Sequence, residues 1–252
     1  MAPKSNPVEP PPAYAAATTA QASSSANNDS DPYAFLTQFD TVFLIDDSGS
    51  MIGRSWRETQ KALEAITPIC TAHDADGIDL YFLNAPDNPW YHNVTSSSTV
   101  TEIFSAVRPR GGTFLGQRLN NILKPYLARC TANLEATKPM NIIIITDGEP
   151  SDDPESVIIN AAKKLDKLDA PAWQIGLQFF QVGKEPGAKE YLQSLDDNLT
   201  ELAGTQIRDM VDTQPWTNDE DVELNADGIL KTILGAVNRR LDRKRSKDLF
   251  AK

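Results

Sequence analysis

Thr41-Val42-Phe43-Leu44-Ile45-Asp46-Asp47-Ser48-Gly49-Ser50 sets a short β-favouring apolar run directly against a cluster of small oxygen-bearing side chains and a glycine. A run this short, preceded by Asp40 and stopped by turn residues, predicts a strand buried on both faces. Such strands belong to parallel sheets covered by helices on either side. Asn141-Ile142-Ile143-Ile144-Ile145-Thr146 repeats the pattern and stops abruptly at Asp147-Gly148. Four consecutive isoleucines are poor in a helix and unfavourable to leave half exposed.

Working outward from these two strands, helical and strand patterns alternate. Trp56, Leu63, Ile66 and Cys70 recur at helical spacing, in a helix that Pro68 is expected to end or bend. Ile78 to Leu83 predicts a strand, Val100 to Val107 a short helix and Phe114 to Leu134 a longer one. Asp153-Pro154-Glu155 is a helix start, with Val157, Ile158, Ala161 and Leu165 on one face. Trp173 to Val182 predicts a strand, Ala188 to Leu195 a helix and Ile207 to Val211 a weaker strand. Leu230, Ile233, Leu234, Val237 and Leu241 form the stripe of a last helix. The alternation predicts an α/β fold with a doubly wound, mostly parallel sheet flanked by helices.

Three segments are expected: an arm over 1–33, one domain over 34–241 and a basic tail over 242–252. The arm is rich in Pro, Ala, Ser and Thr and poor in large aliphatic residues, a composition that cannot bury enough surface to order itself. The chain carries a net charge of −11 with a sequence pI near 4.7, which argues against nucleic-acid binding because phosphate backbones repel an acidic surface. Two cysteines, Cys70 and Cys130, both in helical stretches, suggest neither a disulfide framework nor a thiolate zinc site. The opening residues show no signal-peptide core and no run is long enough to span a bilayer, so a cytoplasmic protein is expected, with no membrane partner.

Ligands of open α/β sheets bind beyond the carboxyl ends of the strands, where Asp46 and Asp147 both fall. Asp46, Ser48 and Ser50 are spaced by two, so an extended turn can aim their oxygens at one point while Gly49 lets the backbone turn. Thr113, behind Gly111-Gly112, and Asp147 complete an all-oxygen donor set suited to Mg²⁺, with Mn²⁺ and Ca²⁺ as alternatives, and unsuited to zinc or copper. Asp-x-Ser-x-Ser by itself reads first as a helix cap. Asp47 and Gly49 are read as spacers, and the charges of Asp47, Glu149, Asp152 and Asp153 as those of solvated loops.

Together, Asp46-Asp47-Ser48-Gly49-Ser50, Gly111-Gly112-Thr113 and Thr146-Asp147-Gly148 resemble the metal-ion-dependent adhesion site of a von Willebrand factor type A domain. The resemblance implies a Rossmann-like fold in which Ser48, Ser50 and Thr113 bind the ion directly and Asp46 and Asp147 often act through water. It also implies a protein partner whose Asp or Glu carboxylate completes the shell. The function expected is therefore a non-enzymatic, metal-dependent protein–protein interaction module.

Two other readings stand beside it. Pro11-Pro12-Ala13-Tyr14 fits the Pro-Pro-x-Tyr pattern that WW domains grip in polyproline II form, which would make the chain an adaptor for WW-containing ubiquitin ligases. A metal-assisted hydrolase would use the same ion to activate water, but neither His73 nor His92 stands beside a nucleophile at a strand end. The basic run Arg239 to Lys247 suits a helix C-terminus, with a nuclear-import signal as the alternative.

Overall fold

The structure, a computed structural model, describes residues 34–214 apart from Ala75, Lys184 and Pro186, together with residues 228–229. The Pro-Pro-x-Tyr arm with Pro11, Pro12 and Tyr14, the stripe from Leu230 to Leu241 and the basic tail lie outside the described residues.

Five parallel strands form one sheet in the order β2-β1-β3-β4-β5. They are β1 (Asp40–Ile45), β2 (Asp79–Phe82), β3 (Met140–Thr146), β4 (Ile175–Gln181) and β5 (Val211–Gln214). The helices are α1 (Arg54–His73), α2 (Ser97–Ala106), α3 (Leu115–Ala132), α4 (Pro154–Lys167), α5 (Ala188–Asp197) and the single turn α6 (Leu199–Leu202). The doubly wound parallel architecture is the one expected.

Alternation along the central strands divides the core into two layers. Phe43, Ile45, Ile143 and Ile145 face the layer that also holds Trp56, Leu63 and Ile66 of α1 and Val100, Ile103 and Phe104 of α2. Val42, Leu44, Ile142 and Ile144 face the layer built with α3, α4 and α5. All four isoleucines of β3 are fully buried, and each stabilises the fold by about 1.5–3 kcal/mol. Both cysteines are free and buried.

Two expectations are corrected. Pro68 does not end its helix, which continues to His73. A proline leaves the carbonyl four residues back without its helical donor. Here that carbonyl, on Glu64, accepts from the Ser97 hydroxyl of α2 at 2.6 Å, so the helix continues through Pro68 without orphaning Glu64. The last strand begins at Val211 and does not run from Ile207. Its start is set by Arg208, which pairs with Asp166 and donates to the Ala170 and Pro171 carbonyls, and by Leu177 N–H donating to Met210 O. The strand proper carries Asp212, Thr213 and Gln214, with Asp212 buried beside Gln178, so no apolar run announces it.

Candidate metal centre

The chain leaves β1 toward β2 on one side of the sheet and later returns to β3 on the other, so the gap between the carboxyl ends of β1 and β3 is the point where the winding reverses. Crevices at such points are where open sheets bind ligands. Ile45 and Ile145 are register partners, so Asp46 and Thr146 emerge side by side. The Thr146 hydroxyl donates to Asp46 Oδ2 at 2.7 Å, and Asp46 Oδ1 accepts from Ser48 N–H at 2.8 Å. Both oxygens of Asp46 are thus engaged, and the turn that follows is held at its first step.

Ser48 Oγ and Ser50 Oγ lie 3.0 Å apart, and Ser50 Oγ donates to Asp147 Oδ1 at 2.8 Å. Two hydroxyls and one carboxylate from β1 and β3 therefore form a contiguous oxygen cluster. Thr113 reaches the same region through its loop. Gly49 N–H donates to Gly111 O at 3.2 Å, while Thr113 exchanges hydrogen bonds with Ser151, receiving Ser151 N–H on its carbonyl at 2.7 Å and donating its own N–H to Ser151 Oγ at 3.1 Å. The backbone of Thr113 is fixed, and its hydroxyl is tied to no other described residue.

Burial raises the Asp147 carboxyl to about 6, against the lowering effect of the Ser50 hydroxyl; the charges of Asp46 and Glu185 add to the rise. A carboxylate in that setting gains from a nearby cation. Among the described residues no group of three or more His, Cys, Asp or Glu side chains forms a metal cage. The five candidate positions supply two carboxylates, Asp46 and Asp147, with the hydroxyls of Ser48, Ser50 and Thr113 making up the remainder.

Asp47 is not a spacer, nor is it solvated. It is 1% exposed and faces away from the oxygen cluster into the loop after β2. Asp47 Oδ1 accepts from Asn84 N–H at 2.7 Å and from Asn84 Nδ2 at 3.2 Å, and Oδ2 accepts from Ala85 N–H at 2.9 Å. Asn84 Nδ2 also donates to Gly112 O at 2.9 Å, and Asp47 O accepts from Arg110 N–H. Burial pushes the Asp47 carboxyl up despite these donors. Gly111 has φ +80°, and a Cβ there would stand 2.5 Å from Asn84 Oδ1, so the residue must be glycine for the two loops to meet. Asn84 is the residue the sequence reading missed. Its one signal is position, at the carboxyl end of a strand neighbouring β1.

Two of the other acidic residues read as loop charges, Asp152 and Asp153, have structural duties. Asp152 accepts from Gly116 N–H and Gln117 N–H, capping α3, and Asp153 accepts from Ser156 N–H, capping α4.

Residues 40–211 match the von Willebrand factor type A domain, and the chain belongs to that family. Domains of this family generally mediate protein–protein interaction. No curated protein matches the chain. Among solved structures, the crystal structure of the human COPII-coat protein Sec24c is similar with a TM-score of 0.38 and 12% identity. The match covers 80% of this chain and 32% of that one, so this chain spans about a third of the Sec24c chain. No described helix is long and apolar enough to cross a membrane.

Proposed function

We propose that this chain is an intracellular interaction module that binds a protein partner through a divalent cation, with Mg²⁺ the first candidate. Ser48, Ser50 and Thr113 would hold the ion, and Asp46 and Asp147 would stand behind them. The observation that carries this reading is the cluster of Ser48, Ser50 and Asp147 oxygens where β1 and β3 end, bordered by a Thr113 hydroxyl with no described partner.

The donor set fits a hard cation, since every donor is a hydroxyl or carboxylate oxygen. When bound, the ion supplies a Lewis-acidic position for an anionic oxygen. The protein's own residues set how strongly that position attracts. Both Asp46 oxygens already accept hydrogen bonds from Thr146 and Ser48, and three of the proposed donors are neutral hydroxyls, so few anionic oxygens of this chain would bind the ion directly. An incoming Asp or Glu side chain of a partner is the missing anion. The His and nucleophile arrangement of a hydrolase has no counterpart around these residues, which favours binding over catalysis.

The test is calorimetric titration of MgCl₂ into the wild-type chain and into Ser48→Ala/Ser50→Ala, followed by capture of partners from cell extract with Mg²⁺ or chelator. Saturable Mg²⁺ binding lost in the double variant, with capture lost in chelator, is the expected result. Binding of the same partners in chelator would overturn the bridging role.

A further inference from the structure

The surface around the oxygen cluster is unlike the rest of this acidic protein. Ile52 and Phe114 are 67% and 43% exposed, two of the four large exposed hydrophobic residues among the described residues. Ile52 lies two residues beyond Ser50, with its N–H on Gly49 O, and Phe114 directly follows Thr113. Each thus lies close in the chain to a residue proposed to hold the ion, a combination of apolar and polar groups that suits a docking surface.

The charge is also uneven. Arg110 is exposed, and its backbone N–H donates to Asp47 O, which places it on the loop that runs beside residues 47–49. Arg108, two residues earlier, is exposed as well. Neither guanidinium pairs with a carboxylate among the described residues. In a chain with net charge −11, two arginines without carboxylate partners among the described residues, on the loop that leads to Thr113, are open to an acidic group of a partner. Asp152 and Asp153 are hydrogen-bonded to helix N–H groups and pair with neither arginine.

We infer that the partner docks with an acidic, apolar-containing segment: one carboxylate at the ion, a second acidic side chain against Arg110 and Arg108, and a bulky apolar side chain against Ile52 and Phe114. This rests on the bridging reading and narrows it. A partner with one acid alone leaves the arginines unsatisfied and the apolar pair wet, so charge complementarity selects the doubly acidic segment.

The experiment selects a phage-displayed library of random peptides on the full chain in Mg²⁺ and elutes with chelator. The eluted peptides are expected to share two acidic residues with a bulky apolar residue near them. Arg110→Glu is expected to weaken a selected peptide about tenfold or more, and reselection on it to replace the second acid by a basic residue. The variant's melting temperature should match wild type and its Mg²⁺ binding should stay saturable and no weaker, which separates docking from folding. Chelator-eluted peptides with a single acid and no apolar preference, or unchanged affinity in Arg110→Glu, overturn this inference and leave the bridging reading standing. If no peptide elutes with chelator, both fail.

Discussion

Asp47→Asn isolates the residue that ties the site's loops together without belonging to the oxygen cluster. The carboxylate presents oxygens to two backbone N–H groups, Asn84 and Ala85, from opposite ends. An asparagine side chain has one oxygen and one NH₂ group, so whichever way it turns, one of those N–H groups meets a donor. An orphaned buried donor costs about 1–3 kcal/mol. Part of that is offset, because burial already disfavours the ionised Asp47 and the amide removes the charge. The net loss expected is about 1–2 kcal/mol, or ~2–8 °C in melting temperature for a domain of this size. Asp47→Ala, which leaves both N–H groups without an acceptor, should lose more.

The second effect is at a distance. Asn84 holds both Asp47 and the Gly112 carbonyl, and Thr113 is the next residue. Loosening Asn84 frees the loop that places the Thr113 hydroxyl, and losses of supporting hydrogen bonds of this kind weaken metal binding about 10–100-fold. Thermal melts in chelator measure the first effect, and Mg²⁺ titration of the still-folded protein the second. If Asp47→Asn melts like wild type in chelator and binds Mg²⁺ equally well, Asp47 is a spacer after all and the loop argument is wrong.

Mg²⁺ at a hundredfold excess over its dissociation constant should stabilise the wild-type chain by about 2.7 kcal/mol, a gain that differential scanning calorimetry should find missing in Ser48→Ala/Ser50→Ala. Gly116→Ala should cost about 1–3 kcal/mol in denaturant melts, because a Cβ there would stand 2.6 Å from the Asp153 carbonyl where α3 meets the start of α4. Burial raises Asp74 to about 6, with the neighbouring Asp76 adding to the rise and Lys138 opposing it. A folded value above the ordinary 3.8 means the native state binds the extra proton, so this group's contribution to stability falls as pH rises through 4 to 6. In chelator the wild-type chain should therefore lose stability over that interval, and Asp74→Asn should flatten the loss; an equal slope in the variant would assign the effect elsewhere. In the arm, Tyr14→Ala should abolish binding to an isolated WW domain in a fluorescence-anisotropy assay if Pro11-Pro12-Ala13-Tyr14 is a docking motif, and leave Mg²⁺ binding unchanged.

The central strands, and the meeting of Asp46, Ser48, Ser50 and Asp147 beyond their ends, were legible because each rests on a local pattern. Apolar runs of Thr41 to Ile45 and Asn141 to Thr146 cannot be accommodated except between two helical layers, and the positions where they stop are where the oxygen donors begin. What was not legible depends on contacts between segments far apart in the chain. Nothing near Pro68 reveals that Ser97 will receive the carbonyl it orphans. Asp212 looks like a loop residue until Gln178 of β4 is beside it. Asp47 alternates out of the Asp46, Ser48, Ser50 series, and the same alternation that marks it as no ligand points it at Asn84. A period of two describes one face of an extended turn and is silent about what the other face meets.

That second face bears on how the site works. Thr113 is the one proposed donor that comes from neither β1 nor β3, and its loop is held to the β1 turn at Gly49–Gly111 and Asp47–Arg110, to the β2 end at Asn84–Gly112, and to the β3 loop at Thr113–Ser151. Gly49 N–H to Gly111 O, Arg110 N–H to Asp47 O and Ser151 N–H to Thr113 O are backbone to backbone and survive side-chain substitution, whereas the Asn84 amide and the Ser151 hydroxyl can be removed by it. Arg110 and Phe114 sit at the two ends of the same loop as Thr113, so a partner that presses on either also bears on the position of the Thr113 hydroxyl. Docking and ion binding then share one mechanical element, and partner affinity should rise with Mg²⁺ by the same factor that Mg²⁺ affinity rises with partner.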